Sequence, residues 1–107
     1  MDTDHIGVIG INEQGQLHIK PCTKQFTLIW RSATEVHWND TESYLYSPKP
    51  REWSYFDWYK HIVSVIAVEY NCKLIVVDDT LWRNVDVELK AQIIRFNSEF
   101  ERPVLSK

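Results

Sequence analysis

Apolar residues alternate with polar ones through the first half of the chain and recur at helical spacing in the second, so the pattern changes from sheet to helix near residue 50. His5 to Ile11 (HIGVIGI) is rich in β-branched residues, residues 12–15 (NEQG) are turn sequence, and Gln16 to Lys20 alternates with Leu17 and Ile19 inward. These features predict a β-hairpin that Pro21 ends. Phe26, Leu28 and Trp30 then alternate with Thr27, Ile29 and Arg31, which fits a third strand, largely covered on both faces, better than it fits a helix. Over Glu35 to Trp38, Val36 and Trp38 share a face. Asn39-Asp40 supplies turn chemistry and Ser43 to Tyr46 resumes the extended pattern, predicting a second hairpin. Pro48 and Pro50 cannot donate to a ladder and restrict the residues before them, so the sheet is expected to stop there.

From Ser54, a suitable N-cap, to Tyr70 the spacing is helical: Tyr55, Trp58, Tyr59, Ile62, Ile66 and Tyr70 fall on one side, and Asn71 suits the turn beyond. Residues 62–68 (IVSVIAV) are apolar nearly all round, whereas a helix lying on one sheet keeps a polar back. Its second face is therefore expected to need cover. Lys73 to Val77 (KLIVV) predicts a short buried strand closed by Asp78-Asp79-Thr80. A closing amphipathic helix from Asp86 to Phe100 carries Leu89, Ile93, Phe96 and Phe100 inward and Asp86 and Glu88 near its positive end, with Pro103 stopping it. The order β-β-β-β-β-α-β-α predicts an α+β fold: a mainly antiparallel sheet of about five to six strands packed against two helices, in one domain over residues 1–107.

A chain of 107 residues has room for one core. Its 44% hydrophobic and 25% charged residues are globular composition, which argues against disorder. The net charge is −3 and no two cationic residues are adjacent, so the phosphate-neutralising footprint is missing and nucleic acid is not an expected partner. No apolar run approaches the ~20 residues of a membrane span, and the opening Met1-Asp2-Thr3-Asp4 is acidic where a signal peptide is basic. A cytoplasmic location away from membranes is the expectation. Cys22 and Cys72 lie far apart without CxxC spacing and read as reduced thiols, Cys72 the more buried.

Five of the seven residues from Trp53 to Tyr59 are aromatic, and half of all the aromatic residues fall between Tyr44 and Tyr59. With Trp30, Trp38 and Trp82 added, this is more aromatic surface than one sheet-on-helix contact readily covers. A core role for the cluster stays open, but the surplus predicts a pocket wall or a subunit interface. Trp30, Trp53, Tyr55, Trp58 and Tyr59 are the candidate wall residues. Arg51 and Lys60, with Lys49, flank them as a rim for an anionic group.

Signals for catalysis are weaker. Asp57 and His61 stand one helical turn apart, the spacing at which a carboxylate orients an imidazole, although a surface salt link is the commoner use. Asp78-Asp79 follows a strand, where α/β sheets place ligand and metal carboxylates, although turn duty is the stronger reading. His5, His18, His37 and His61 lack i, i+3 or i, i+4 spacing, so no metal site is predicted, and no cofactor is expected; only His18 and His37 are placed to meet across strands. Gly7, Gly10 and Gly15 lie in and beside a hairpin, where they mark a bulge or close packing and not a phosphate loop.

Residues 47–62 (SPKPREWSYFDWYKHI), with residues 6–21 (IGVIGINEQGQLHIKP), resemble small uncharacterised bacterial proteins carried on mobile integron gene cassettes. The resemblance implies an α+β fold, a tendency to self-associate and sometimes a small-molecule pocket, and it carries over no family active site. Immunity proteins against bacterial toxins are similar in size and acidity. Three functional expectations follow. The first is a non-enzymatic homo-oligomeric module whose closed C2 pair covers the apolar helix. The second is an aromatic-lined small-molecule site. The third is a module binding one bacterial protein, steered by Asp78, Asp79, Asp86 and Glu88.

Overall fold

The computed structural model describes residues 2–101, with the side chain of Glu101 left aside. Pro103, expected to stop the last helix, lies outside the described residues. Six strands form one mixed, mostly antiparallel sheet and two helices pack against it, which is the expected α+β class. The strands are β1 (Asp2–Ile11), β2 (Leu17–Pro21), β3 (His37–Asn39), β4 (Tyr44–Tyr46), β5 (Cys72–Ile75) and β6 (Leu81–Arg83); the helices are α1 (Tyr55–Tyr70) and α2 (Val87–Glu101). The sheet runs β3-β4-β2-β1-β5, and β6 also pairs with β1. Both β5 and β6 are parallel to β1, one along Asp2–His5 and the other along Val8–Gly10, whereas the remaining pairs are antiparallel.

Register fixes what each face carries. Trp38, Leu45, Ile19, Ile9 and Trp82 form one row across five strands, facing the helices. Because strand side chains alternate, the neighbouring row of His37, Tyr46, His18, Gly10 and Arg83 faces away from them. Between β5 and β6 the chain leaves the sheet, and Thr80 fills the gap: its buried hydroxyl donates to the Ile6 carbonyl at 2.7 Å and accepts from Val77 N–H at 2.9 Å. Asn97 of α2 does the work of a further strand, accepting from Val76 N–H at 2.8 Å and donating to its carbonyl at 3.2 Å.

Two expected elements differ. Phe26–Arg31 is not a third strand: Ile29 to Arg31 is a 3-10 helix, with Ile29 N–H bonded to Phe26 O and Arg31 N–H to Leu28 O, each at 3.0 Å. The apolar residues buried here are Phe26, Ile29, Ala33 and Val36, which recur at three and four residues, the spacing of a helical and not an extended chain. Leu28 and Trp30 turn out to solvent. The second difference is β6, a three-residue strand whose one inward residue, Trp82, leaves almost no alternation to read.

α1 begins where Ser54 predicts. Ser54 Oγ accepts from Asp57 N–H at 3.1 Å, and an Asp57 carboxylate oxygen accepts from Ser54 N–H at 3.0 Å, a reciprocal capping box. Asn71 closes the helix in the left-handed region at φ 52°. The apolar second face is covered in part inside the chain, while Val68 stays 78% exposed. Phe56 and Tyr59 each meet Phe96 of α2 edge-on at 6.0 Å, and Val63 is fully buried in the core. At the far end Phe26 packs edge-on against Tyr70 at 5.1 Å. From Val63 to Glu69 the exposed residues of α1 are Ser64, Val68 and Glu69.

Candidate functional site

The Pro-rich segment after β4 returns the chain over the start of α1 and leaves a cleft of about 500 Å³ lined by Thr34, Glu35, Lys49, Arg51, Glu52, Trp53, Trp58 and His61. Trp58 and His61 reach it because they stand one turn apart on the same side of α1. Trp53, just before the N-cap, leans onto both, with ring centroids 4.7 Å from Trp58 and 5.1 Å from His61. Trp58 is only 7% exposed, so its indole is a wall anchored in the core, whereas Trp53 is a half-exposed flap.

Polar atoms in this wall lack partners. Trp58 Nε1 and His61 Nε2 are both buried, and neither has a hydrogen-bond partner among the described residues. A buried donor left unpaired costs about 1–3 kcal/mol, and the wall holds two of the four such atoms among the described residues, His18 Nδ1 and Trp38 Nε1 being the others. Burial also pushes the His61 pKa below its ordinary value, which favours the neutral imidazole. The charges at the mouth nearly cancel: Arg51 Nη2 lies 3.4 Å from Glu35 Oε1 with both side chains well exposed, and Lys49 and Glu52 stand beside them. An exposed pair of this kind is worth roughly 0–1 kcal/mol and exchanges partners readily.

Two neighbouring hollows are less suited to a ligand. One lies between the starts of α1 and α2, where Ser54 caps α1 and Asp86 caps α2 by accepting from Leu89 N–H at 2.7 Å, so those polar groups are already engaged. The other, lined by Trp53, Asp57, Lys60, His61 and Ser64, is a shallow extension of the cleft along α1.

The structure thus brings Arg51, Trp53, Trp58 and His61 together and disperses the other candidates. Tyr59 is a core residue, 1% exposed, with its phenol pKa pushed up by burial. Tyr55 lines the hollow between the two helix starts and not the cleft, and its hydroxyl donates to the Gly15 carbonyl at 2.9 Å. Trp30 is 56% exposed and lies under the Arg31 guanidinium, 5.3 Å from its ring centre, outside the cleft. Lys60 sits over the Phe56 ring at 4.7 Å and 3.8 Å from Asp57. Asp57 is committed to the capping box, whose Ser54 backbone N–H holds its carboxyl below the ordinary value, and no hydrogen bond or ion pair joins it to His61 among the described residues. Asp78 and Asp79 are exposed on the turn before β6, and no group of three or more metal-ligating side chains occurs among the described residues. Thr34 and Glu35 were not legible as wall residues, because only the compact path of residues 26–36 carries them to α1.

Residues 4–80 match the sequence model of the integron cassette protein Hfx_Cass5 family, a span that holds every residue of the cleft. The chain belongs to that family. The solved Integron Cassette Protein Hfx_Cass5, from the mobile metagenome of the North West Arm sewage outfall, is 38% identical to this family member, covering 92% of this chain and 98% of its own, with a TM-score of 0.46. Among curated proteins none matches. The resemblance seen in residues 6–21 and 47–62 is therefore a family relationship, and β6 and α2 lie beyond the matched span. No helix among the described residues of this cassette protein is long and apolar enough to cross a membrane.

Proposed function

We propose that this cassette protein is a non-enzymatic binding module that holds a small planar ligand in the cleft between Trp53, Trp58 and His61. The observation that carries this reading is the buried, unpartnered Trp58 N–H in the wall of a cleft large enough for a drug-sized molecule. A ligand carbonyl, carboxylate or ring nitrogen satisfies that donor once the Trp53 ring packed on Trp58 swings aside, and the two indole faces favour a flat apolar body. Arg51 exchanges its exposed Glu35 partner for an anionic end of the ligand. Glu35 and Glu52 at the mouth disfavour polyanions, so the matching class is a neutral or singly charged heteroaromatic compound and not a nucleoside triphosphate.

Self-association is the weaker reading, since α2 covers Phe56 and Tyr59 of α1 and leaves Val68 as its one strongly exposed apolar residue. A thermal-shift screen of planar heteroaromatic acids and amides tests the proposal. At about ten times Kd a true ligand stabilises by about 1.4 kcal/mol, raising Tm by roughly 6–11 °C for a domain of this size. A hit must lose its effect in Trp53→Ala. A panel that leaves Tm unmoved, or hits indifferent to Trp53→Ala, overturns the proposal.

A further inference from the structure

The sheet face turned away from the helices carries a second feature, unrelated to the cleft. His37 and Tyr46 have ring centroids 5.6 Å apart, Tyr46 and Tyr44 6.1 Å, and Tyr44 and His18 4.8 Å, so four rings from three strands form one continuous strip. Gly10 makes the strip possible. A Cβ there would stand 2.8 Å from two atoms of the His18 ring, so only glycine lets the imidazole lie against β1. Register sets Arg83 and His18 on either side of Gly10 in one outward row, and burial, then the Arg83 charge, lower the His18 pKa. Lys20, outward on β2, flanks it, and the strand positions of this face carry no carboxylate; Glu13, Asp40 and Glu42 are confined to the turns.

A cationic, aromatic face does not suit a second copy of itself, because a two-fold contact would set Arg83 and Lys20 near their own equivalents. It suits an anionic partner with flat groups. A plain acidic peptide would use the cations but not the row of rings, whereas bases stack on aromatic side chains of a sheet with little regard to sequence while cations meet the phosphates. We infer that this face binds single-stranded nucleic acid, with Tyr44, Tyr46 and His37 as the stacking platform and Arg83 and Lys20 as phosphate contacts. No cationic run announces it, since β2 and β6 contribute one cation each.

The test is a fluorescence anisotropy titration of labelled single-stranded DNA and RNA of ~10 nucleotides, with a polyglutamate peptide of equal length as competitor. Two phosphate contacts predict weak binding whose log K falls with log salt at a slope of about −1.4. Tyr46→Ala is expected to weaken binding on the order of tenfold. Arg83→Glu, an exposed change that leaves the core alone, is expected to abolish it, and Val87→Ser on α2 to leave it unchanged. Far-UV circular dichroism confirms that each variant is folded. Three results overturn the inference: no anisotropy change at about 50 mM salt, displacement by polyglutamate as effective as by unlabelled oligonucleotide, or full binding by Arg83→Glu.

Discussion

Replacing Trp58 by Phe separates the two terms that define the cleft wall. Aromatic side chains bury about 150–250 Å², so the exchange forfeits at most about 100 Å², or roughly 2.5 kcal/mol at ~25 cal/mol per Å². Only part of this is lost, because the ring that remains keeps the contact with Trp53 and the site borders an open cleft, which limits the void left behind. Against it stands the removal of a buried N–H that has no partner, worth about 1–3 kcal/mol in the opposite direction. The two nearly cancel. Trp58→Phe is therefore expected to unfold within about 1 kcal/mol of the wild type, where truncation of a well-paired core aromatic costs about 3–5 kcal/mol. Urea denaturation followed by far-UV circular dichroism gives the difference without relying on the altered tryptophan emission. A loss of about 3 kcal/mol or more would mean that the indole N–H is already bonded in the free protein, and the reason for assigning this cleft a ligand would disappear.

The other predictions concern the scaffold. Gly10→Ala is expected to destabilise by about 1–3 kcal/mol and to push the His18 ring outward; Gly7→Ala, where the nearest atom would be 3.4 Å away, is the milder change, and equal urea midpoints would contradict the packing. Asp4 is buried, which raises its pKa, but the Lys24 N–H, the Thr23 hydroxyl and the backbone N–H groups of Thr23 and His5 outweigh burial and hold it lowered. Asp4→Ala should thus cost about 2–3 kcal/mol at pH 7. A lowered carboxyl stabilises above its unfolded pKa and loses that contribution as pH falls through the folded one, so the gap between wild type and variant should narrow below about pH 4; a pH-independent gap counts against the assignment. Val68 is 78% exposed on α1, and Val68→Lys is expected to leave the mass measured by light scattering unchanged; a shift from a larger species to monomer would restore the subunit contact.

Much of this architecture is written locally. The hairpin of β1 and β2, the Ser54 cap, the Asn71 terminus and the apolar stripe of α2 each rest on signals contained within a few residues. Phe26 to Arg31 reads as a strand because Phe26, Leu28 and Trp30 satisfy an alternating template while Phe26, Ile29, Ala33 and Val36 satisfy a helical one, and only burial decides between them. β6 has no local signal, since three residues pair with β1 after a turn closed by Thr80. In the cleft, Trp53 and Trp58 were legible as wall residues and Arg51 as a rim, whereas His61 was legible only as a partner for Asp57, a pairing the structure does not make. Trp30 and Tyr59 were not separable from them by composition, because an aromatic residue reads alike in a core, on a surface and in a wall. The strip of His18, Tyr44, Tyr46 and His37 emerges only when register sets three strands side by side.

A proton–nitrogen correlation spectrum of the five tryptophan indoles, titrated with the compounds that raise Tm, bears most directly on the cleft. The resonance missing from Trp58→Phe identifies Trp58 Nε1–H. The account predicts that this signal moves downfield and saturates as the ligand accepts its hydrogen bond, with Trp53 responding to ring stacking and Trp30 unmoved. Stabilising compounds that leave the Trp58 resonance in place, or that shift only Trp30, would contradict it.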